Sequence, residues 1–427
     1  MYKRFTFLSL LLFTACGHHT EESSIPLTSI QLIDRHGFSE TVSAKERLSL
    51  YQNVDFLTPQ PYQKVTRVFK RDQEGKTHSS LTSYHTNGQV SHYLDVVDGR
   101  AHGYYREWHA NGQMKIEAAV IEGIADLSEI AQSSWLFEGI SRVWNEEGAC
   151  LAKISYSKGV LEGPSLYYYP SGKLRQEIPY KKDEIDGVLT VYAENGNVLE
   201  RISFQNGLKD GLAVGFWEDR SEKYTETYAK DQLMTGVYFE KNRKKIAEVI
   251  GGVGKQALFE QDHLSSLVQI EGGKPEGLVQ IFGQERELVQ ECHVKEGKKH
   301  GEEITYYAKN HEGKILPKLM VTWSDDQLHG VTKTWYPTGL MQSQREMSGN
   351  KKHGMSFAWY KDGTLMFNEE YENDRLDKGI YFKKGEKEVV SKIDGGKGVA
   401  TLFDADGKLL KKINYEKGKP LLENDER

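Results

Sequence analysis

The chain repeats a glycine, an aromatic residue five positions later and, in most copies, a second glycine nine positions later. The pattern occurs at Gly103/Trp108/Gly112, Gly139/Trp144/Gly148, Gly163/Tyr168/Gly172, Gly187/Tyr192/Gly196, Gly330/Trp335/Gly339, Gly354/Trp359/Gly363 and Gly398/Phe403/Gly407. Gly211/Phe216, Gly277/Phe282 and Gly301/Tyr306 keep the first pair without the second glycine. Aromatics are 11% of the chain, so twelve such glycines (these ten, Gly236 and Gly379) would meet about one aromatic by chance, not ten. The lead glycines mostly recur every 24 residues, a period that marks a repeat architecture rather than one globular core.

Within a unit, counted from its lead glycine, apolar residues favour positions 1, 5, 11, 15 and 17, as in Ile140, Trp144, Cys150, Ile154 and Tyr156. Polar residues intervene in the second half, and alternation at period two predicts strands. Between the strands lie tripeptides ending in glycine, among them Ala110-Asn111-Gly112, Pro170-Ser171-Gly172 and Pro337-Thr338-Gly339. A three-residue hairpin loop is a type I turn closed by a left-handed residue, which glycine adopts without strain, and proline suits its first position. Closing the hairpin there places Trp108 opposite Met114, Trp359 opposite Leu365 and Ile140 opposite Ile154. The fold expected is all-β: an elongated single-layer antiparallel meander of tandem β-hairpin repeats with a small N-terminal α/β element.

The string Tyr156-x-x-Gly159-x-x-x-Gly163-x-x-x-x-Tyr168-x-x-x-Gly172-x-Leu174 resembles the MORN-variant repeat, and the resemblance covers most of residues 75–427. A standard MORN repeat has a Gly-x-Gly pair after the lead position, where this chain has Ser165, Thr190 and Lys333, so the variant type is the better match. Proteins built from it include bacterial antitoxin-like components. The resemblance implies a hairpin-repeat fold and a binding or scaffold role, with no catalytic residue to carry over.

The N-terminus carries a second signal. Lys3 and Arg4 precede an apolar run over residues 5–13, followed by Thr14-Ala15-Cys16, the layout of an export signal. Leu12-Phe13-Thr14-Ala15-Cys16 resembles a bacterial lipobox, with Phe13 where leucine is usual. That resemblance implies cleavage before Cys16, acylation of its thiol, including by palmitate, and a lipoprotein held at the cell envelope by its acyl chains. Gly17, in place of the aspartate that favours inner-membrane retention, points to the outer membrane. The domains expected are a signal peptide over 1–15, a tether and small element over 16–60, a first repeat block over 61–245 with a helical insert at 124–136, and a second block over 246–427. Ser43-Ala44-Lys45-Glu46 reads as a capping box opening a helix through about residue 53. Residues 220–276 read as degenerate, with Gly251-Gly252-Val253-Gly254 at a junction.

Mature-chain charge is near −8, with both signs interspersed, which lacks the basic stripe of a nucleic-acid binder. His102, His300, His329 and His353 each precede a lead glycine, but equivalent positions on successive hairpins lie roughly 9–10 Å apart, too far to share a metal. Residues 251–256 lack the first glycine and the Ser/Thr of a phosphate loop, and Asp404-Ala405-Asp406-Gly407 lacks the closing acid of a calcium loop. Cys150 and Cys292 read as small buried apolar residues. No catalytic constellation and no cofactor motif stands out. Position 6 adds Tyr169, Trp217, Tyr307, Tyr336 and Tyr360, expected as an exposed aromatic row able to bind a protein or a glycan. The Trp-Tyr-x-x-x-Gly spelling is similar to choline- and cell-wall-binding repeats, whose period is shorter. The function expected is a non-enzymatic, membrane-anchored scaffold presenting a β surface to an envelope protein. The alternatives are glycan binding through the tyrosines and antitoxin- or immunity-like binding of a partner toxin.

Overall fold

The computed structural model describes residues 26–421; the expected signal peptide and Cys16 lie outside them. The chain is all-β and divides into two compact units, residues 1–183 and 184–427. The sequence-based boundary at 246 falls inside the second unit.

In the first unit, Leu27–Ile33 pairs antiparallel with Ser39–Val42 on one side and Lys64–Phe69 on the other. Leu27, Ile30, Leu32, Val42, Phe56 and Val65 bury their side chains together beneath a single helical turn, Lys45–Leu48. That turn is shorter than the capping-box reading predicts. Its N-cap is Ala44, which has no side-chain oxygen to hold the first amides. From Lys64–Phe69 the chain runs as a meander of hairpins, each strand pairing with the next. The insert at 124–136 forms the helical turn Glu129–Gln132 and lays Trp135 edge-on against Tyr105, with ring centroids 4.8 Å apart. The Trp135 Nε1 donates to the Ile124 carbonyl at 2.8 Å, so the buried indole is satisfied.

The second unit is the same meander, from Gly187–Tyr192 to Leu409–Glu416. Two turn types alternate along it. At one end of most hairpins is the expected three-residue loop: around Gly112 of the first unit, for instance, the Gly112 amide donates to His109 O and the His109 amide to Gln113 O, both at 2.9 Å. At the other end is a two-residue turn with both residues left-handed, such as Asn206 at φ 50° and Gly207 at φ 77°. Such turns match the strands' right-handed twist. Where aspartate replaces the second glycine it does further work: Asp231 Oδ1 accepts the Lys209 amide at 2.7 Å and Asp374 Oδ1 the Lys352 amide at 2.8 Å. The turns are thereby stitched to their predecessors.

The register confirms the loop and corrects the faces. Trp108 lies opposite Met114 and Trp359 opposite Leu365. Ile140, however, lies opposite Ser155, and it is Ser141 that faces Ile154. One extra residue at position 12 of each regular unit makes a β-bulge, and a one-residue slip sends every later side chain to the other face. Positions 2, 4, 13, 15 and 17 therefore share an inner face, while 1, 3, 5, 11, 14 and 16 share an outer one. The lead glycine sits opposite position 17, where Tyr156, Phe204, Tyr228 or Tyr371 stands. At position 2 the inner face takes small buried residues, Ser165, Ala213, Ser356 and Ala400.

Residues 220–276 are not a junction. Gly251-Gly252 is an ordinary two-residue turn, and three turns converge on it: the Leu233 amide donates to Gly273 O, the Gly273 amide to Gly252 O and the Gly252 amide to Met234 O, at 2.8–2.9 Å. The ring recurs with Leu376, Gly418, Gly396 and Asp377. A Cβ on Gly396 would stand 2.5 Å from the Gly418 nitrogen, so only glycine permits this approach. Turns two hairpins apart lie roughly 19 Å apart in a flat sheet. Their direct hydrogen bonds show that the sheet edge curls tightly at both places, and a core cluster fills each curl.

Candidate interaction surface

The position-6 side chains do not form the exposed row expected of them. Trp217, Tyr336 and Tyr360 are buried, Tyr360 completely, and Tyr169 and Tyr307 are half-buried. Position 6 precedes the loop and turns sideways onto the neighbouring hairpin. The hydroxyl of Tyr307 donates to Trp335 O, that of Tyr336 to Trp359 O and that of Tyr360 to Phe382 O, each at 2.7 Å. In the first unit histidine does the same: His85 Nε2 donates to Trp108 O at 2.9 Å and His109 Nε2 to Trp144 O at 3.1 Å. These five residues latch their own hairpins to the next, and burial raises the Tyr360 phenol to about 12.

What is exposed instead is position 1. Tyr104 and Ile140 in the first unit are 46% and 48% exposed, and Val188 and Leu212 in the second are 48% and 52% exposed. Around them on the outer face lie the half-buried position-5 aromatics and paired charges. Arg106 Nε meets Glu117 Oε2 at 3.0 Å, Arg142 reaches the same carboxylate at 3.5 Å, and the Arg106 guanidinium stacks over Tyr104 at 4.6 Å. Each pair is partly exposed and contributes little to stability. The combination, at Tyr104 and Ile140 and again at Val188 and Leu212, is an exposed apolar residue near charged side chains.

Two internal polar clusters escaped the sequence reading. Glu226 and Glu369 occupy position 15, where Ile154, Ile178, Ile202 and Ile413 stand in other units, and both are buried. Tyr238 and Tyr228 donate to the two oxygens of Glu226 at 2.7 and 2.9 Å, and Gln256 Nε2 adds a third bond at 2.8 Å. Tyr381 and Tyr371 hold Glu369 alike, at 2.7 and 3.1 Å. Burial, then the adjoining carboxylate, pushes all four phenols above the usual range. The spelling Glu-x-Tyr, with a second tyrosine ten residues on, was the available signal.

Among the described residues no three of His, Cys, Asp and Glu converge as metal ligands. His102 instead donates through Nδ1 to Ile121 O at 2.8 Å. Cys150 is half-buried opposite Trp144, and Cys292 is buried, its thiol pushed up by desolvation; both are free.

The MORN repeat variant matches at residues 101–118, 161–182, 185–206 and 397–417. These hairpins are MORN-variant repeats. Each matched segment spans parts of neighbouring strands and a turn between them. No curated protein is significantly similar to the chain. Solved structures with some likeness include a crystal structure of TcdB2-TccC3-TEV, at 12% identity over 90% of this chain with a TM-score of 0.16. Another is the Tc holotoxin pore of Photorhabdus luminescens carrying a TccC3 mutation, at 11% identity over 92% of this chain with a TM-score of 0.14. The chain spans 24% of the length of each.

Proposed function

We propose that this chain is a non-catalytic repeat scaffold, held at a bacterial envelope membrane by acyl chains on Cys16, whose outer sheet face binds a protein partner. MORN-variant repeats and a long antiparallel sheet fit a binding scaffold. The observation that carries the reading is the recurrence of half-exposed apolar side chains at position 1, at Tyr104, Ile140, Val188 and Leu212, on a face they share with half-buried aromatics and paired charges. Covering one such side chain contributes about 1 kcal/mol, so the exposed pair on each unit adds to association without any deep pocket. The burial of Trp217, Tyr336 and Tyr360 removes the aromatic row on which glycan binding depended.

Photocrosslinking residues placed at Ile140 and Val188 of the full chain are expected to capture one envelope protein in both cases. Ile140→Glu and Val188→Glu are expected to lose it while the chain stays folded. Crosslinks scattered over many proteins, or indifferent to the two glutamates, would count against the scaffold. Cys16→Ser is expected to release the chain from the membrane fraction and to abolish incorporation of labelled palmitate.

A further inference from the structure

The three-residue turns of the second unit between residues 217 and 287 break the glycine rule at one place each. Arg220, Arg243 and Arg286 stand where the glycine turns carry their closing glycine, with φ of 67°, 63° and 64°. The hydrogen bonds are those of the glycine turns: Arg243 N donates to Glu240 O at 2.8 Å and Arg286 N to Gly283 O at 3.0 Å. A side chain in the left-handed region costs about 1 kcal/mol. Three arginines bear that strain where the turns at Gly112, Gly172 and Gly363, among others, carry glycine.

Between two of these turns the hairpin around Gln261-Asp262 closes on two residues rather than three, and its shorter end leaves a groove. The groove consists of two clefts, about 320 and about 510 Å³, which share Glu240, Leu264 and Arg286. Trp217 and Phe259 wall the first, ring centroids 5.1 Å apart, and the Lys223 ammonium lies 4.7 Å above the indole. Trp217 is 97% buried (3% exposed), and its Nε1 has no hydrogen-bond partner among the described residues. Ile246, Leu267 and Phe282 line the second cleft. Lys241, Lys244, Lys245, Arg286 and Lys309 line the groove against Glu240, Asp262 and Glu285, a positive balance in a chain of net charge −6. Lys244 and Lys309 pair with no carboxylate among the described residues. The Glu240 carboxylate, mostly buried, lies against the Arg286 guanidinium.

We propose that this groove docks an acidic, aromatic-bearing segment of the partner protein. The segment's carboxylates meet Lys244, Lys309 and Arg286, and its ring enters the apolar cleft lined by Leu264, Leu267 and Phe282. Glu240 holds Arg286 in the meantime, in the place a ligand carboxylate takes. This rests on the scaffold reading and adds the chemistry of the partner.

The test uses the full chain and a fluorescein-labelled random copolymer of glutamate and tyrosine, with polyglutamate and a lysine–tyrosine copolymer as controls, read by anisotropy. The glutamate–tyrosine copolymer is expected to bind best, and more weakly as salt rises. Lys244→Gln with Lys309→Gln is expected to weaken it at least fivefold; both are exposed ends without partners, so folding is retained. Glu240→Gln is expected to tighten it, a gain that misfolding does not produce. Binding unchanged in both variants, absent altogether, or equal for the lysine copolymer overturns the groove. If crosslinks at Ile140 persist in that case, only the groove fails. If the copolymer binds as expected while Ile140 and Val188 capture nothing, the outer-face reading fails and the groove stands.

Discussion

The hydroxyl of Tyr360 donates to the main-chain carbonyl of Phe382 across 2.7 Å, from one hairpin's turn to the last residue of a strand in the next. Tyr336 does the same to Trp359 one repeat earlier. In a repeat protein, stability is a sum of units and nearest-neighbour terms, and this bond is a nearest-neighbour term. Tyr360→Phe keeps the buried ring and leaves a carbonyl without its donor, at a cost of about 1–2 kcal/mol. Urea unfolding of Tyr336→Phe and Tyr360→Phe is expected to show a lower midpoint in each, with more lost in the pair. A midpoint unmoved in both would mean the hydroxyls are solvated and the latch is not formed.

The two classes of glycine differ in what they tolerate. Gly172 has φ +80° and open space around its Cβ position, so Gly172→Ala carries only the left-handed penalty, about 1 kcal/mol. In Gly254 a Cβ would lie 2.1 Å from the Glu248 carbonyl oxygen, so Gly254→Ala must move backbone inside the curled edge and is expected to cost more than about 3 kcal/mol. Arg243→Gly runs the other way and is expected to gain about 0.5–1 kcal/mol, since glycine suits φ 63°. Thermal unfolding of the three variants orders them. Similar losses at Gly172 and Gly254 would contradict the close approach.

Much of this was legible because turns have local chemistry. Pro170-Ser171-Gly172 can close a hairpin in few ways, and from that loop the pairing of Trp108 with Met114 follows. The faces were not legible. The residue at position 12 looks like any other in a binary pattern, yet it shifts Ile140 to the outside and Ile154 to the inside. Tyrosine was ambiguous for a related reason: an apolar ring with a polar tip reads alike whether it faces water or a neighbour's carbonyl. Glu226 and Glu369 carry no mark of burial in the sequence, because burial of a carboxylate depends on partners that only the folded chain brings together. The curled edges were hidden in Gly251-Gly252 and Gly395-Gly396, which spell a turn without saying which other turns touch it.

Glu369 tests what those partners are worth. Glu369→Ala leaves the buried hydroxyls of Tyr371 and Tyr381 without an acceptor and opens a cavity, an expected loss of about 3 kcal/mol. Replacing all three, Glu369→Ile with Tyr371→Phe and Tyr381→Phe, removes donors and acceptor together and restores the isoleucine of other repeats. That variant is expected within about 1 kcal/mol of the parent, because apolar replacement of a whole buried polar group is often neutral. Denaturant midpoints decide it. A triple variant as unstable as the single one would mean the carboxylate does more than satisfy two phenols.

The same phenols make the fold sensitive to alkali. Burial and the adjoining carboxylates raise Tyr238 and Tyr381 above the ordinary value, and burial raises Tyr360 to about 12. In the unfolded chain tyrosine ionises near about 10. A folded value above the unfolded one means that the neutral phenol is favoured by folding. Its contribution is complete below about pH 10 and is lost as pH climbs through the folded value, for Tyr360 between about 10 and 12. Stability in urea should therefore fall steeply above about pH 10, where the 23 tyrosines should divide into an exposed set that titrates near its usual value and a buried set that titrates only as the β signal in circular dichroism disappears. Following the tyrosinate ultraviolet band and the circular dichroism together separates the two sets. If every tyrosine ionised near about 10 with the sheet still intact, neither the latches nor the Glu–Tyr clusters would be buried as described.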